Sequence, residues 1–369
     1  MLAAVRALGP AVRARADEVE RGRRLPADLA GALGATGLFR LCVARELGGI
    51  EATPRELVEI IEALAEADGS VGWCGMIGAS GALLSGYLPD AGAREVFGDP
   101  GAITGGVFAP RGRAEAVAGG FRVSGRWAFA SGCQHSGWLS LGCAVADKQD
   151  VLTVLVPAAE LRVLDTWTVA GLCGTGSHDV ELEGCVVPAE RAVSLVRSRP
   201  RRGGPLFGFP AFGLLALGVA AVAMGIARRA VDELVTLAGA KTPTLGRRTL
   251  ASRASVQADV ARAEALLRSG RAFVADRIDA AWARASGGGE VTVDDRAWLR
   301  LAATHATQSA AQAVDLMYAA GGGTAIYRDS ALQRCFRDVH TVTQHMMVAG
   351  PTLELAGRVR LGLDPDAML

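Results

Sequence analysis

Between Gly203 and Ala227 the chain carries no charged residue, and the run Ala211-Phe-Gly-Leu-Leu-Ala-Leu-Gly-Val-Ala-Ala-Val-Ala-Met-Gly-Ile-Ala227 is apolar on every face of a helix. Such a helix has two homes, a bilayer or the centre of a large core. Pro205 and Pro210 stand at its front, Ala and Gly dominate it, and no second run of the kind occurs. It therefore reads as a buried core helix, and a chain of 369 residues is long enough to bury it. The helices that cover it must come from elsewhere in the chain.

Charge excludes one class of partner. Lys and Arg number 39 against 38 Asp and Glu, a net of +1, so there is no broad positive field for nucleic acid. Seven scattered cysteines with no CxxC pair read as reduced thiols in a cytoplasmic protein, and the early charges at the N-terminus do not suit a signal peptide. Five scattered histidines without HxH or HxxE spacing give no metal site. A nicotinamide fingerprint, GxGxxG between strand and helix, is missing too.

The order of patterns is helical, all-β, helical. Residues 1–100 hold helices opened by Pro26 and Pro54, with Leu57, Ile60, Ile61 and Leu64 at helical spacing, and an apolar helix from Val71 to Tyr87. Residues 101–197 break into short runs divided by glycine, the mark of a small antiparallel sandwich or barrel. Residues 198–369 return to long helices, about 211–238, 249–286, 293–320 and 329–360. Three domains are expected at those boundaries, in an α+β, mostly helical chain.

One stretch stands apart, Trp127-Ala-Phe-Ala-Ser-Gly-Cys-Gln-His-Ser-Gly-Trp138. A packed strand pair would favour Val and Ile here. Aromatics beside Ser-Gly suit a flat ligand that lies on a wall and meets a hydroxyl at its edge. By itself, the stretch reads first as a hairpin with buried aromatics and glycines for its turns.

With this order of domains, five motifs resemble the acyl-CoA dehydrogenase family along essentially the whole chain. They are Trp127-Ala-Phe-Ala-Ser-Gly132; Gly171-Leu-Cys-Gly-Thr-Gly-Ser-His-Asp-Val180 with Val187-Pro188; Gln257 after Arg247-Arg248; Ala320-Gly-Gly-Gly-Thr324; and Leu332-Gln-Arg-Cys-Phe-Arg-Asp338. The resemblance implies an N-terminal helical domain, a middle β-domain, a C-terminal four-helix bundle, flavin between the last two, and a homotetramer. The carboxylate base of the dehydrogenases, nine residues after the Arg of the Arg-Asp pair, falls on Met346, and a thioether accepts no proton. Glu233 and Glu264 are the only acids near the family's other placement. His345 beside the missing acid resembles the flavin-dependent monooxygenase branch, the oxygenase components of two-component hydroxylases.

That branch implies reduced flavin (FADH2 or FMNH2) and O2, a C4a-hydroperoxide that passes oxygen to an aromatic or other small apolar molecule, and a separate NAD(P)H:flavin reductase. Ser131 would hold the flavin N5/C4a edge, and Trp127 and Phe129 would wall the ring. Gly174, Thr175 and Ser177 would meet the cofactor from their turn, Gly321 and Gly322 from the bundle, and Gln257 from a neighbouring subunit. His345 would be the catalytic base. His340, five residues earlier and about 140° away on a shared helix, would point elsewhere or share the substrate pocket with Trp73 and His135. An acyl thioester dehydrogenase, an N-oxygenase and a non-catalytic scaffold remain as alternatives at this point.

Overall fold

The structure is a computed structural model and describes residues 1–145, 150–244 and 246–365. Six helices come first: α1 (Leu2–Ala14), α2 (Ala16–Gly22), α3 (Ala27–Ala35), α4 (Pro54–Ala67), α5 (Gly69–Gly81) and α6 (Asp90–Phe97). Seven strands follow, β1 (Thr104–Val117), β2 (Gly120–Trp127), β3 (Trp138–Val145), β4 (Val151–Pro157), β5 (Arg162–Leu164), β6 (Asp179–Pro188) and β7 (Ala192–Val193). Then come α7 (Pro205–Gly208), α8 (Ala211–Ala240), α9 (Ala254–Ser286), α10 (Val293–Gly321), α11 (Ala331–Thr343) and α12 (Pro351–Arg360).

Local signals start the helices where expected. Thr53 caps α4 by accepting from Glu56 N–H while Glu56 reaches back to the Thr53 N–H, and Pro54 occupies the first turn, where no donor is needed. Thr292 and Asp295 make the same reciprocal cap on α10. The uncharged run is α8, and 83% of its most apolar stretch is buried inside the protein. Small residues let its neighbours close in. A Cβ on Gly218 would fall 2.7 Å from Met76 Cγ of α5, and one on Gly225 would fall 2.7 Å from Ala65 Cβ of α4 and against the Glu62 carbonyl. One hydrophobic core thus takes in helices from both ends of the chain, with α8 at its centre.

The strands form one sheet in the order β5-β6-β2-β1-β3-β4-β7 around a second, smaller core. Every pair is antiparallel except β1 with β3, a departure from the all-antiparallel expectation. The chain leaves β2, crosses residues 128–137, and lays β3 on the far edge of β1 in parallel register. That crossing is the stretch singled out in the sequence. Pro110, without an N–H, sits inside the register shift between Val107 and Gly112.

A second departure concerns the last helix. The helix expected over 329–360 is two, α11 and α12, because Gly350-Pro351 restarts the helix and Pro351 takes the first position of α12. His345 therefore lies in a break, not on the helix that carries His340.

Two substitutions within α8 test the packing account. Gly225→Ala gains about 1 kcal/mol in helix propensity but overpacks against α4 at a cost of about 1–3 kcal/mol, so urea denaturation should find it destabilised. Gly239→Ala meets no atom within 4 Å and should be stabilised by roughly 0.5–1 kcal/mol. Equal effects at both positions would contradict the account.

Candidate active site

The crossing segment opens with Phe129 in the left-handed region at φ 66°, where Ser131 N–H donates to the Phe129 carbonyl at 2.8 Å. A bulky residue there is strained by on the order of 1–3 kcal/mol, and such strain gathers at functional sites. Phe129 is also 66% exposed, and its ring meets Trp167 edge to face at 6.0 Å. An aromatic face is thus held out from the β-domain. Trp127 is different. It is fully buried, its indole N–H donates to the Gly142 carbonyl at 2.6 Å, and its ring occupies the space left by the paired glycines Gly112 and Gly125. No face remains for a ligand, so the expectation that Trp127 walls a flavin is corrected: it is β-domain core.

Behind Phe129 stands a row of buried hydroxyls. Trp73 Nε1–H of α5 donates to Ser131 Oγ at 3.0 Å; Ser131 Oγ meets Ser177 Oγ at 2.7 Å; Ser177 Oγ meets Thr175 Oγ1 at 2.7 Å; and Thr175 donates to the Leu172 carbonyl at 2.9 Å. The carbonyl can only accept, so each proton has one direction. Thr175 spends its proton on Leu172, Ser177 donates to Thr175, and Ser131 donates to Ser177. Ser131 Oγ, which already receives Trp73, is left with one lone pair and no proton to give. It presents an acceptor.

Leu172 anchors the row. It is also left-handed, at φ 51°, a conformation with no signal in a leucine. Its carbonyl accepts from Thr175 and from Trp167 Nε1, and its N–H donates to Asp338 Oδ1 of α11 at 2.6 Å. His178 Nδ1 accepts from Thr166 and Trp167 N–H, each at 3.2 Å, and burial lowers its pKa, so it is a neutral structural imidazole. Gly174 is packed against Val19, and its N–H donates to Ser70 at 3.2 Å. It meets helices α2 and α5 rather than a ligand, contrary to the expectation from its motif.

His345 approaches from the bundle side. Its ring stands edge to face with Trp73 at 5.4 Å. Desolvation pulls its pKa down to about 4, so it is neutral at neutral pH. Met347 N–H donates to Nδ1 at 3.4 Å, which puts the single proton on Nε2. In this state His345 offers a donor at Nε2, where the sequence suggested a base.

Other candidates are not gathered in. His340 pairs with Asp315 at 2.8 Å on the α10–α11 surface, which removes it from the pocket. Gln257 is exposed at the start of α9 and donates to its own Ala251 carbonyl at 3.0 Å. Gly321 is closed against Leu332 and Ala325, and Gly322 is an exposed turn at φ 56°. Within one chain neither glycine joins the hydroxyl row. His135 folds over Gly132, half-buried, its pKa also lowered to about 4 by desolvation. Met346 is 69% exposed, while Glu233 pairs with Arg229 and Glu264 with Arg228 and Arg268, so no carboxylate among the three positions stands ready as a base.

Asp338 is a residue that sequence reasoning noted only as half of an Arg-Asp pair. Burial, then the charge of Asp68, raises its pKa to about 7. The folded state therefore disfavours its ionised form, and stability falls as pH rises from about 4 toward 7. Asp338→Asn keeps an acceptor for Leu172 and removes the charge. Urea denaturation should find this variant's stability relative to the natural protein higher at pH 8 than at pH 5. A difference that does not move with pH would sink the assignment.

Comparison with known proteins bears on the family and the fold. Models of the acyl-CoA dehydrogenase N-terminal and C-terminal domains match residues 3–96 and 217–349. An indole-3-acetate monooxygenase of Pseudomonas putida is 37% identical over 358 residues, spanning 96% of this chain and 91% of its own. The oxygenase subunit of a flavin-dependent monooxygenase of Rhodococcus jostii is 31% identical, spanning 98% and 94%. Among solved structures, XiaF from Streptomyces in complex with FADH2 and glycerol superposes with a TM-score of 0.93 at 30% identity, covering 99% of this chain and 96% of its own. The 3-HSA hydroxylase of a Rhodococcus species reaches a TM-score of 0.91 at 29% identity, covering 97% and 96%. The chain belongs to the acyl-CoA dehydrogenase family, within its branch of flavin-dependent monooxygenases.

Proposed function

We propose that this chain is the oxygenase component of a two-component system that hydroxylates a small planar aromatic, using O2 and flavin delivered in reduced form. Curated relatives are named for indole-3-acetate and for resorcinol, and solved neighbours hold FADH2 or FMN, which supports both the substrate class and the cofactor class. Without a dinucleotide fingerprint in the chain, a separate NAD(P)H:flavin reductase supplies the electrons. We assign the protein to the cytoplasm on its reduced thiols. Exposed Phe129, Ile326, Tyr327 and Met346 favour a homo-oligomer, a tetramer on the family's pattern.

The polarity of the hydroxyl row carries the reading. Reduced flavin has an N–H at N5, whereas oxidised flavin has only a lone pair there. Ser131 Oγ, with its proton committed to Ser177, would accept from the first and repel the second. The acceptor at Ser131 thus fits reduced flavin. When bound, that cofactor supplies activation of O2 and transfer of one oxygen atom. The protein supplies the rest. Phe129 and Trp167 would offer an aromatic face, Ser131, held by Trp73, would hold the flavin edge, and neutral His345 would present an N–H at Nε2.

Mixing the protein with photoreduced FAD or FMN and then with O2 tests the class. A persistent near-ultraviolet absorbance distinct from oxidised flavin is expected, and immediate return of oxidised flavin with stoichiometric H2O2 counts against it. Removing the Ser131 acceptor costs one hydrogen bond of about 1–1.5 kcal/mol, or roughly tenfold in affinity. Anaerobic titration of Ser131→Ala should therefore find reduced flavin bound about tenfold more weakly, with little change for oxidised flavin. Equal loss for both forms would contradict the role given to Ser131.

A further inference from the structure

Two carboxyl groups are buried together where α1, α2, α4, α5, α8 and α11 meet: Asp338 of α11, 5% exposed, and Asp68, the residue before α5, 7% exposed. Each commits one oxygen to a backbone N–H. Asp338 Oδ1 accepts from Leu172 at 2.6 Å, and Asp68 Oδ1 caps α5 by accepting from Val71 at 3.0 Å. Asp338 Oδ2 lies against the start of α5, where a Cβ on Gly69 would fall 3.0 Å from it. Both groups line one cavity of about 50 Å³, which has room for water and so for exchange of a proton.

The cations around the pair are engaged elsewhere. Arg13 of α1 bonds Glu66 at 2.8 Å, and Arg229 of α8 bonds Glu233 at 2.6 Å. Arg334 and Arg337 of α11 each bond Glu20 of α2 at 2.7 Å, and Arg334 also reaches Asp17. Among the described residues neither Asp68 nor Asp338 joins an ion pair. Burial pushes the neighbouring thiols of Cys335 and Cys173 up, so they stay neutral. Burial also raises the pKa of both carboxyl groups. Asp68 ionises first, because the N-terminus of α5 and the charge of Arg334 favour its anion. Burial, then that anion, hold the proton on Asp338 up to a pKa of about 7.

What Asp338 grips is the anchor of the hydroxyl row. Leu172 is left-handed, and its carbonyl receives Thr175, on which the direction of every proton in the row depends. The loop lies directly on α11: a Cβ on Gly171 would fall 2.1 Å from the Arg337 carbonyl, and Arg337 reaches back to the Ala170 carbonyl. An ionised carboxylate accepts a hydrogen bond more strongly than a neutral carboxyl oxygen does. We propose that Asp338 is a positioning residue for the hydroxyl row, that it holds the row more firmly ionised than protonated, and that Asp68 sets the pH at which the change occurs. The inference rests on the placement of reduced flavin at Ser131 given above. Asp338 acts through Leu172 and Thr175, without touching the cofactor.

The test is anaerobic titration of the full chain with reduced FMN from about pH 6 to about pH 8. Ionisation of the flavin itself is common to every variant, so ratios of affinity isolate the protein's part. Asp338→Asn keeps an acceptor for Leu172 without the charge. It should match the natural protein near the acid end and bind reduced flavin roughly fivefold more weakly near the alkaline end, the ratio turning at about 7. Asp68→Asn keeps the cap of α5 and removes the like charge, so Asp338 ionises at lower pH. This variant should bind more tightly than the natural protein near the acid end and equally near the alkaline end. An Asp338 that only braces the fold gives a ratio that does not move with pH. That result overturns the proposal, as does an Asp68→Asn profile that coincides with the natural one. Should Asp338→Asn fail to fold, the comparison of Asp68→Asn with the natural protein decides by itself. Failure of the natural protein to bind reduced flavin at any pH refutes the cofactor reading as well, whereas binding with pH-independent ratios refutes this inference alone.

Discussion

The site depends on one hydrogen bond, from Trp73 Nε1 to Ser131 Oγ. It joins a helix of the N-terminal section to the crossing segment of the sheet, and the same indole meets His345 from the C-terminal bundle. Three parts of the chain that are remote in sequence converge on one side chain. The bond also fixes chemistry. By filling one lone pair of Ser131 while Ser177 takes its proton, it leaves a hydroxyl that can only accept. A network in which every proton has a single direction polarises along its length and resists rearrangement. Strain at Phe129 and Leu172 is held in place by these bonds and by the Asp338 carboxylate.

The helical core is what makes this alignment possible. α5 carries Trp73, and it stands where it does because Gly218 of α8 admits Met76 and Gly72 admits Ala65 of α4. α8 in turn is held by α4, α10 and α11. A run of small apolar residues thus does for this buried core what it does for close helix pairs in bilayers, letting backbones approach. α10, on the other side of α8, brings Arg300 against the break between α11 and α12. The charge is buried by the same packing that positions the histidine.

Much of this was legible in the sequence, and the parts that were not have physical reasons. The uncharged run, the proline starts, the glycine-broken middle and the caps specify elements locally, and they led to the right fold. Ser131 and His345, to which the proposed site gives its main roles, were singled out through motifs. Trp127 misled because an aromatic at a strand end looks the same whether it faces a ligand or fills the space above Gly112 and Gly125; only the strand register decides. Gly174 misled in a similar way, since a glycine that admits a helix and one that admits a phosphate have the same sequence. The break at 344–350 was missed because Gly350-Pro351 was outweighed by the helical pattern on both sides. Leu172 could not be found at all. Its left-handed backbone is imposed by partners at 167, 175 and 338, none of which marks it in sequence.

As proposed above, Ser131 would present an acceptor to flavin N5, and the protein would favour the reduced cofactor. The midpoint potential of flavin bound to the natural protein, measured by spectroelectrochemical titration against free flavin under the same conditions, reads this directly. Tighter binding of the reduced form moves the potential of the bound flavin to more positive values, and that shift is the predicted result. A potential equal to or more negative than that of free flavin would contradict the account.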